Sequence, residues 1–346
     1  MEEDFLQKLI AYIQAFHEDI FDAERLPVAI AALLVVTIGG MVRGGLRGNA
    51  NPFYWHWVDI VFGGIGRRMN KLGRPKGDLI FRGFILSSVV LALSFLLGRL
   101  GALLSAQYPV WSVVDILGLC VLMSSGAVWA STGRLYKALN EKNVKPGAYY
   151  AIARSSFTDL SKNDDYTITR VGMGLVLKSF DKAVIAPVLW FLIGGLPLAF
   201  LYSGIAALSW RFGKDGHSGG FGDAMIALEK LMGFVPNLLA GVLIALAGLL
   251  TPTAGMTRSF LSLFRHKGSA SYGEGGFPVT AAAYALNVSL GGPTPDLDGQ
   301  IIKRGWVGPP KATAQLVAKH LHRVMYLVFM AHILFLASLC AAMIFA

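Results

Sequence analysis

Two arginines, Arg154 and Arg170, bracket the polar turn Ser161-Lys-Asn-Asp-Asp165. A guanidinium presents paired planar donors that match phosphate oxygens, so this spacing suggests a clamp for a phosphorylated ligand. Positive charge on a solvated helix face explains the same pair. Asp164 and Asp165 suit Mg²⁺ ligation, and equally the cap and first turn of a following helix, whose dipole favours acids. Asp115 sits within an apolar run, where an acid marks a functional cavity or a helix–helix hydrogen bond. His332 has no second histidine at i±3 or i±4 and reads as a packed, hydrogen-bonded side chain. His320 and His322, two apart, point to different helix faces. The Gly-rich runs near 216–222 and 273–276 lack the Gly-x₄-Gly-Lys-Ser/Thr pattern, and no dinucleotide fingerprint follows a strand. With no nucleophile triad and no metal-ligand cluster, catalytic residues stay unassigned and no protein-held metal is expected.

The elements that must position these groups are membrane helices. Of 346 residues, 54% are hydrophobic and 15% charged, against roughly 25% charged in soluble domains; mean hydropathy is +0.55. This predicts an all-α integral membrane protein, a polytopic helix bundle of about six spans near 26–42, 83–105, 110–131, 183–208, 236–252 and 324–346. The fourth run is broken by Gly194-Gly195 and Pro197, which a membrane tolerates only where neighbours take up the freed backbone groups. Five crossings result if that run turns back on itself.

Loops 43–82 and 132–182 carry 8 and 9 Lys/Arg, and 253–323 carries 8. The positive-inside rule places these three loops, with helical segments in them, in the cytoplasm, and both termini outside an inner (plasma) membrane, the N-terminus periplasmic. A re-entrant 183–208 would invert everything after it. Residues 1–25 hold seven acids and two bases, with Phe5, Leu9, Ile13, Phe16 and Ile20 at helical spacing. That predicts an acidic amphipathic surface helix ahead of a single polytopic domain, 26–346. The net charge of +10 fits topology and contact with anionic lipid of the bilayer, or attraction of a phosphorylated substrate. No basic–aromatic module for nucleic acid is present. Cys120 and Cys340 lie within spans and indicate neither a disulfide framework nor a Cys-based metal site. Between spans, 134–180 reads as helical with a capped break at 161–165, 221–235 as a helix ending at Gly233, and 266–310 as Gly/Pro-rich with a short helix at 278–290.

Several blocks recur in a fixed order: Asn51-Pro52 through His56-Trp-Val58 with Gly63-Gly64; Arg82-Gly83; Ala153-Arg154 with the turn 161–165; Ala186-Pro187, Gly194-Gly-Leu-Pro197 and Tyr202; Phe221-Gly222, Val235-Pro236 and Ala240; Gly275-Gly-Phe-Pro278 through Leu290-Gly-Gly-Pro293. In these the chain resembles, over about residues 30–295, the CobD/CbiB family of cobalamin biosynthesis, the membrane adenosylcobinamide-phosphate synthases. The resemblance implies an ATP-dependent ligase that joins an aminopropanol unit, often phosphorylated, to a corrinoid carboxylate as an amide, with ATP and Mg²⁺ required. It places His56 at the family's His-Pro position, for contact with substrate or nucleotide. It also adds Asp181, Glu229 and Glu274 to Arg154 and Arg170 as substrate-binding candidates.

The sequence also departs from the family pattern. Lys178-Ser-Phe-Asp181-Lys182 stands where the family has Glu-Asn-x-x-Asp, and Ala206-Ala-Leu-Ser209 where it has Asn-Thr-Leu-Asp. Glu229-Lys230 replaces paired acids, Gly233 and Leu238 replace Asn and Arg, and Glu274 replaces Asn. A lysine at a metal-ligand position inverts the local charge. The first functional reading is therefore a synthase-type protein of cobalamin biosynthesis. The alternative is a non-catalytic relative, comparable to the AmpE-like branch, acting as a membrane regulator or as a structural subunit with a membrane protein partner or as a homo-oligomer. A transporter is a third reading, weakened because no inverted repeat is visible.

Overall fold

The chain alternates long apolar helices with short polar turns, and the computed structural model describes residues 22–46, 48–71, 73–107, 113–213, 220–296 and 301–345. The amphipathic helix expected at the N-terminus falls outside them. The helices are α1 (Arg25–Arg43), α2 (Phe53–Met69), α3 (Lys76–Gln107), α4 (Val113–Leu122), α5 (Gly126–Asn140), α6 (Pro146–Ser156) and α7 (Asp165–Phe180), then α8 (Ala186–Phe212), α9 (Asp223–Leu250), α10 (Met256–Ser262), α11 (Gly276–Leu286) and α12 (Ala318–Phe345). Six helical stretches are long and apolar enough to cross a membrane: Arg25–Arg43, Lys76–Gln107, Val113–Asn140, Asp165–Phe212, Asp223–Leu250 and Ala318–Phe345. Leu34, Val35 and Ile38 of α1, Leu96 and Leu100 of α3, and Phe329 and Ile333 of α12 are exposed. In water such apolar stripes would be anomalous; on a membrane protein they face acyl chains.

The fourth stretch does not run straight. Gly194 (φ −146°, ψ 28°) and Gly195 (φ 63°, ψ −159°) leave the helical region, and Pro197 supplies no amide hydrogen. Arg25 Nη1 takes up one released acceptor by donating to the Leu192 carbonyl at 3.3 Å. A straight helix would hold Ala183 and Trp210 about 40 Å apart, yet both line one cavity. A short chain of bonds joins them. Trp210 Nε1 donates to Ser155 O (2.7 Å), the Ala50 amide to Ser155 Oγ (2.8 Å), Ser124 Oγ to Ala50 O, and the Ser124 amide to Ala183 O (3.0 Å). The segment is therefore a hairpin with both ends on one face of the bundle. This is the turn-back outcome, which brings the start of 209–235 to the side of 132–182. With Cys120 and Cys340 replaced by alanine, single cysteines at the exposed positions Lys142 and Asp223 should react with an impermeant maleimide from the same side; labelling from opposite sides would contradict the hairpin.

The second limb of the hairpin packs antiparallel to α3. Small residues Gly83, Ser87, Ser94 and Gly98 form the buried stripe of α3, which lets backbones approach closely. Ser94 Oγ bonds Tyr54 of α2 at 2.8 Å and sits against Gly204. Asp115 receives Ser105 Oγ at 2.5 Å, a hydrogen bond between α4 and α3. His332 is held by Ser125 (3.2 Å) and the Val328 carbonyl (2.8 Å), as its isolation along the helix predicts. Asp164 caps α7 by accepting the Thr167 amide at 2.9 Å, and that contact holds its carboxyl below the usual range.

Three local expectations are corrected. The helix expected at 278–290 is Gly276–Leu286, stopped by left-handed Asn287 (φ 55°). After it, the all-α pattern gives way to two small antiparallel ladders. β1 (Leu290–Gly291) pairs with β4 (Trp306–Val307), and β2 (Thr294–Pro295) with β3 (Ile301–Ile302). Gly291 and Gly292 (φ 70° and 71°) with Pro293 favour a turn there, not a helix. The third correction concerns Gly233 and Pro236, which do not separate two helices: α9 runs through both. Gly233 lacks a side chain because the Tyr272 hydroxyl packs against it while donating to the Glu229 carbonyl at 3.2 Å.

Candidate functional site

Between α6, α7, the re-entrant hairpin and the β-ladders lies a cavity of about 140 Å³, far more than the roughly 10–15 Å³ a single water occupies. Its charged lining comprises Arg170, Lys178, Lys182 and Arg304 against one carboxylate, Glu274. Arg170, Gly174 and Lys178 recur every four residues on α7, one face of a helix. The π-helical turn Asp181–Ile185 follows and carries Lys182 onto the same wall. Such turns are frequent at functional sites.

Arg170 is 9% exposed. Its Nη2 donates to the Pro293 carbonyl at 2.8 Å, and its plane lies 4.7 Å from the Trp306 ring. A side chain at Gly292 would strike both groups. Its Nε is buried without a hydrogen-bond partner, as is Oγ1 of Thr294, a residue 5% exposed on β2. Both residues line the cavity. Thus a cationic fork and a hydroxyl are fixed in place with donor capacity to spare, which an oxyanion would satisfy. Arg304 Nε lies 3.9 Å from Glu274 Oε1.

Behind the cationic wall is a second polar layer. Lys182 Nζ lies 2.6 Å from Oε1 of the fully buried Glu229 and 4.7 Å from the centre of the Tyr272 ring. Asp181, 1% exposed, accepts from Asn237 Nδ2 at 2.5 Å, while Asn237 Oδ1 accepts the Phe277 amide at 2.9 Å. Burial pushes the Tyr272 hydroxyl far above its ordinary range, so it stays a neutral donor.

Of the residues singled out from sequence, Arg170 and Glu274 line the cavity, and Asp181 and Glu229 stand directly behind it. Arg154 does not join Arg170. It is exposed on α6 and donates to Tyr150 Oη at 2.8 Å, because α6 ends at Ser156 and turns its last face outward. His56 lies beside the site, edge-on to Trp210 at 6.1 Å, while its neighbour Trp55 lines the cavity. Lys178, Lys182, Thr294, Arg304 and Asn237 escaped the sequence reading. The four-residue spacing from Arg170 to Lys182 was the available signal for the lysines, whereas Thr294 and Arg304 arrive through the tertiary fold of the ladders.

These features define a polytopic membrane protein with a cation-walled cavity at a re-entrant helix. The profile of the CobD/Cbib protein family matches residues 29–328, and the chain belongs to that family. It is 25% identical over 300 residues to the cobalamin biosynthesis protein CobD of Clostridium acetobutylicum, covering 83% of this chain and 91% of the relative. Over 146 residues it is 33% identical to the CobD protein of Geobacter metallireducens, 41% and 45% of the two chains. The Klebsiella pneumoniae CobD protein is 28% identical over 180 residues, 52% and 55% of the two chains. No solved structure matches the chain.

Proposed function

We propose that this protein serves cobalamin biosynthesis as a membrane ligase of the adenosylcobinamide-phosphate synthase type, joining an aminopropanol unit or its phosphate to a corrinoid carboxylate. The observation that carries the reading is the cavity wall of four cations, with Arg170 Nε and Thr294 Oγ1 left without protein partners. The site opens to the cytoplasmic side of the inner membrane, where nucleotide is available, and the N-terminus is periplasmic.

The triphosphate of ATP fits this donor set; when bound, ATP supplies the phosphoryl group that activates the carboxylate. Arg170 and Thr294 orient phosphate oxygens, and Lys178, Lys182 and Arg304 offset their charge. Glu274, steadied by Arg304, presents a carboxylate to the ammonium of the incoming amine. Trp55 and Trp210 provide an apolar wall that limits water. A protein-held Mg²⁺ does not fit. Among the described residues no three of His, Cys, Asp or Glu stand together, and Glu229 and Glu274 each face a cation.

The Lys182–Glu229 pair also favours a second reading, a non-catalytic relative that binds a phosphorylated ligand as a membrane regulator. ADP release by the purified protein separates the two. The ligase releases ADP only when adenosylcobyric acid and aminopropanol phosphate are both present; release at the buffer rate with both present would contradict the ligase.

A further inference from the structure

We infer that Lys182 is a tethered cation occupying the place of a divalent metal, so that a phosphate-bearing ligand binds this cavity without a metal ion. Removal of Lys182 then uncovers a cation site on Asp181 and Glu229. The inference deepens the proposed function and takes from it only the ligand class.

A buried ion pair is a poor source of stability, because desolvating two charges offsets most of their attraction. The Lys182–Glu229 pair is nevertheless nearly closed to water, the two side chains 12% and 0% exposed. It sits on a π-helical turn that places consecutive residues Asp181 and Lys182 beside Glu229. Asp181 Oδ1 and Glu229 Oε2 are buried with no hydrogen-bond partner. Two carboxylates with free lone pairs around one positive charge form the donor set that hard divalent ions take. Here that charge is an ammonium carried by the chain. The same ammonium lines the cavity beside Arg170, Lys178 and Arg304, so it meets the ligand on one side and the carboxylates on the other. A bridging metal would do the same, but the lysine cannot be removed by chelation.

The test uses the full chain in neutral detergent, with inorganic pyrophosphate and Mn²⁺ as probes. Wild-type protein should bind pyrophosphate equally, within twofold, in EDTA and in Mg²⁺, and should show no bound Mn²⁺ by electron paramagnetic resonance. Lys182→Gln should lose at least tenfold in pyrophosphate affinity in EDTA and gain one tightly bound Mn²⁺. Lys182→Gln with Glu229→Gln removes both buried charges, provides a folded control, and should bind no Mn²⁺. Mn²⁺ binding by the wild type as tight as by Lys182→Gln, or wild-type pyrophosphate binding abolished by EDTA, would overturn the inference. If Lys182→Gln does not fold, the wild-type measurements alone decide. Nanodiscs with and without phosphatidylglycerol separate a free phosphate from a lipid headgroup. Pyrophosphate binding unaffected by the lipid assigns the site to a soluble ligand, competition assigns it to a headgroup, and either supports metal-free phosphate binding. Absent ADP release alongside EDTA-resistant pyrophosphate binding would remove the ligase reading and leave this one standing.

Discussion

Arg170→Ala is expected to lower ADP release at least about 100-fold, the scale set by deleting one preorganised charge-stabilising donor. The side chain is 9% exposed, fixed by the Pro293 carbonyl and the Trp306 ring, and holds Nε unpaired at the cavity. Its orientation is established before any ligand arrives, so the loss should appear in turnover and in pyrophosphate affinity together. Arg170→Lys should rescue little. A lysine keeps the charge but loses the planar fork that spans Pro293 and the cavity at once. The exposed Arg154→Ala serves as the control and should stay within about twofold, the behaviour of a surface charge. Comparable losses at both positions would restore the two-arginine clamp and contradict the geometry.

The largest effect on folding is expected at Gly98. A Cβ there would lie 2.5 Å from Pro197 Cα, 2.6 Å from the Leu196 carbonyl oxygen and 2.8 Å from Pro197 N. All three are backbone atoms of the turn in the re-entrant hairpin, so no side-chain rotation relieves the clash. Gly98→Leu should cost on the order of 3 kcal/mol, the upper range of overpacking penalties. It should appear as a lower Tm in detergent and a loss of monodisperse protein. Gly133→Ala, in α5 with open space around its Cβ position, should instead add about 0.5–1 kcal/mol from helix propensity. An unchanged Tm in Gly98→Leu would mean that α3 does not pack against the turn.

The apolar runs were legible because membrane helices must be long and nearly uncharged. The interruption at Gly194-Gly195-Leu-Pro197 was legible as a break for the same reason. Its direction was not, since whether a broken helix kinks or reverses depends on Gly195 adopting φ 63° and on Gly98 receiving the turn. Gly233 misled for a related reason: a glycine marks either a helix end or a close approach, and only the position of Tyr272 distinguishes them. At the site, Arg170 and Glu274 stood out by type and position. Lys178 and Lys182 were visible only as departures from a family pattern, although their spacing from Arg170 put them on one face. Thr294 and Arg304 carry no periodic signal, being brought in by ladders two residues long. Asn237 was hidden beside Pro236, where attention fell on the residues that differ from the family. What looked like the removal of a polar site is, in three dimensions, a rearranged one: Asp181 with Asn237, Glu229 with Lys182.

The central claim is that this cavity supports amide formation on a corrinoid. Growth of a cobinamide-requiring strain carrying the wild-type gene on cobyric acid without added cobinamide tests it most directly. Growth with the wild type and none with Arg170→Ala, both present at equal levels in the membrane, is the predicted result. Absence of growth with abundant, membrane-inserted wild-type protein would contradict it.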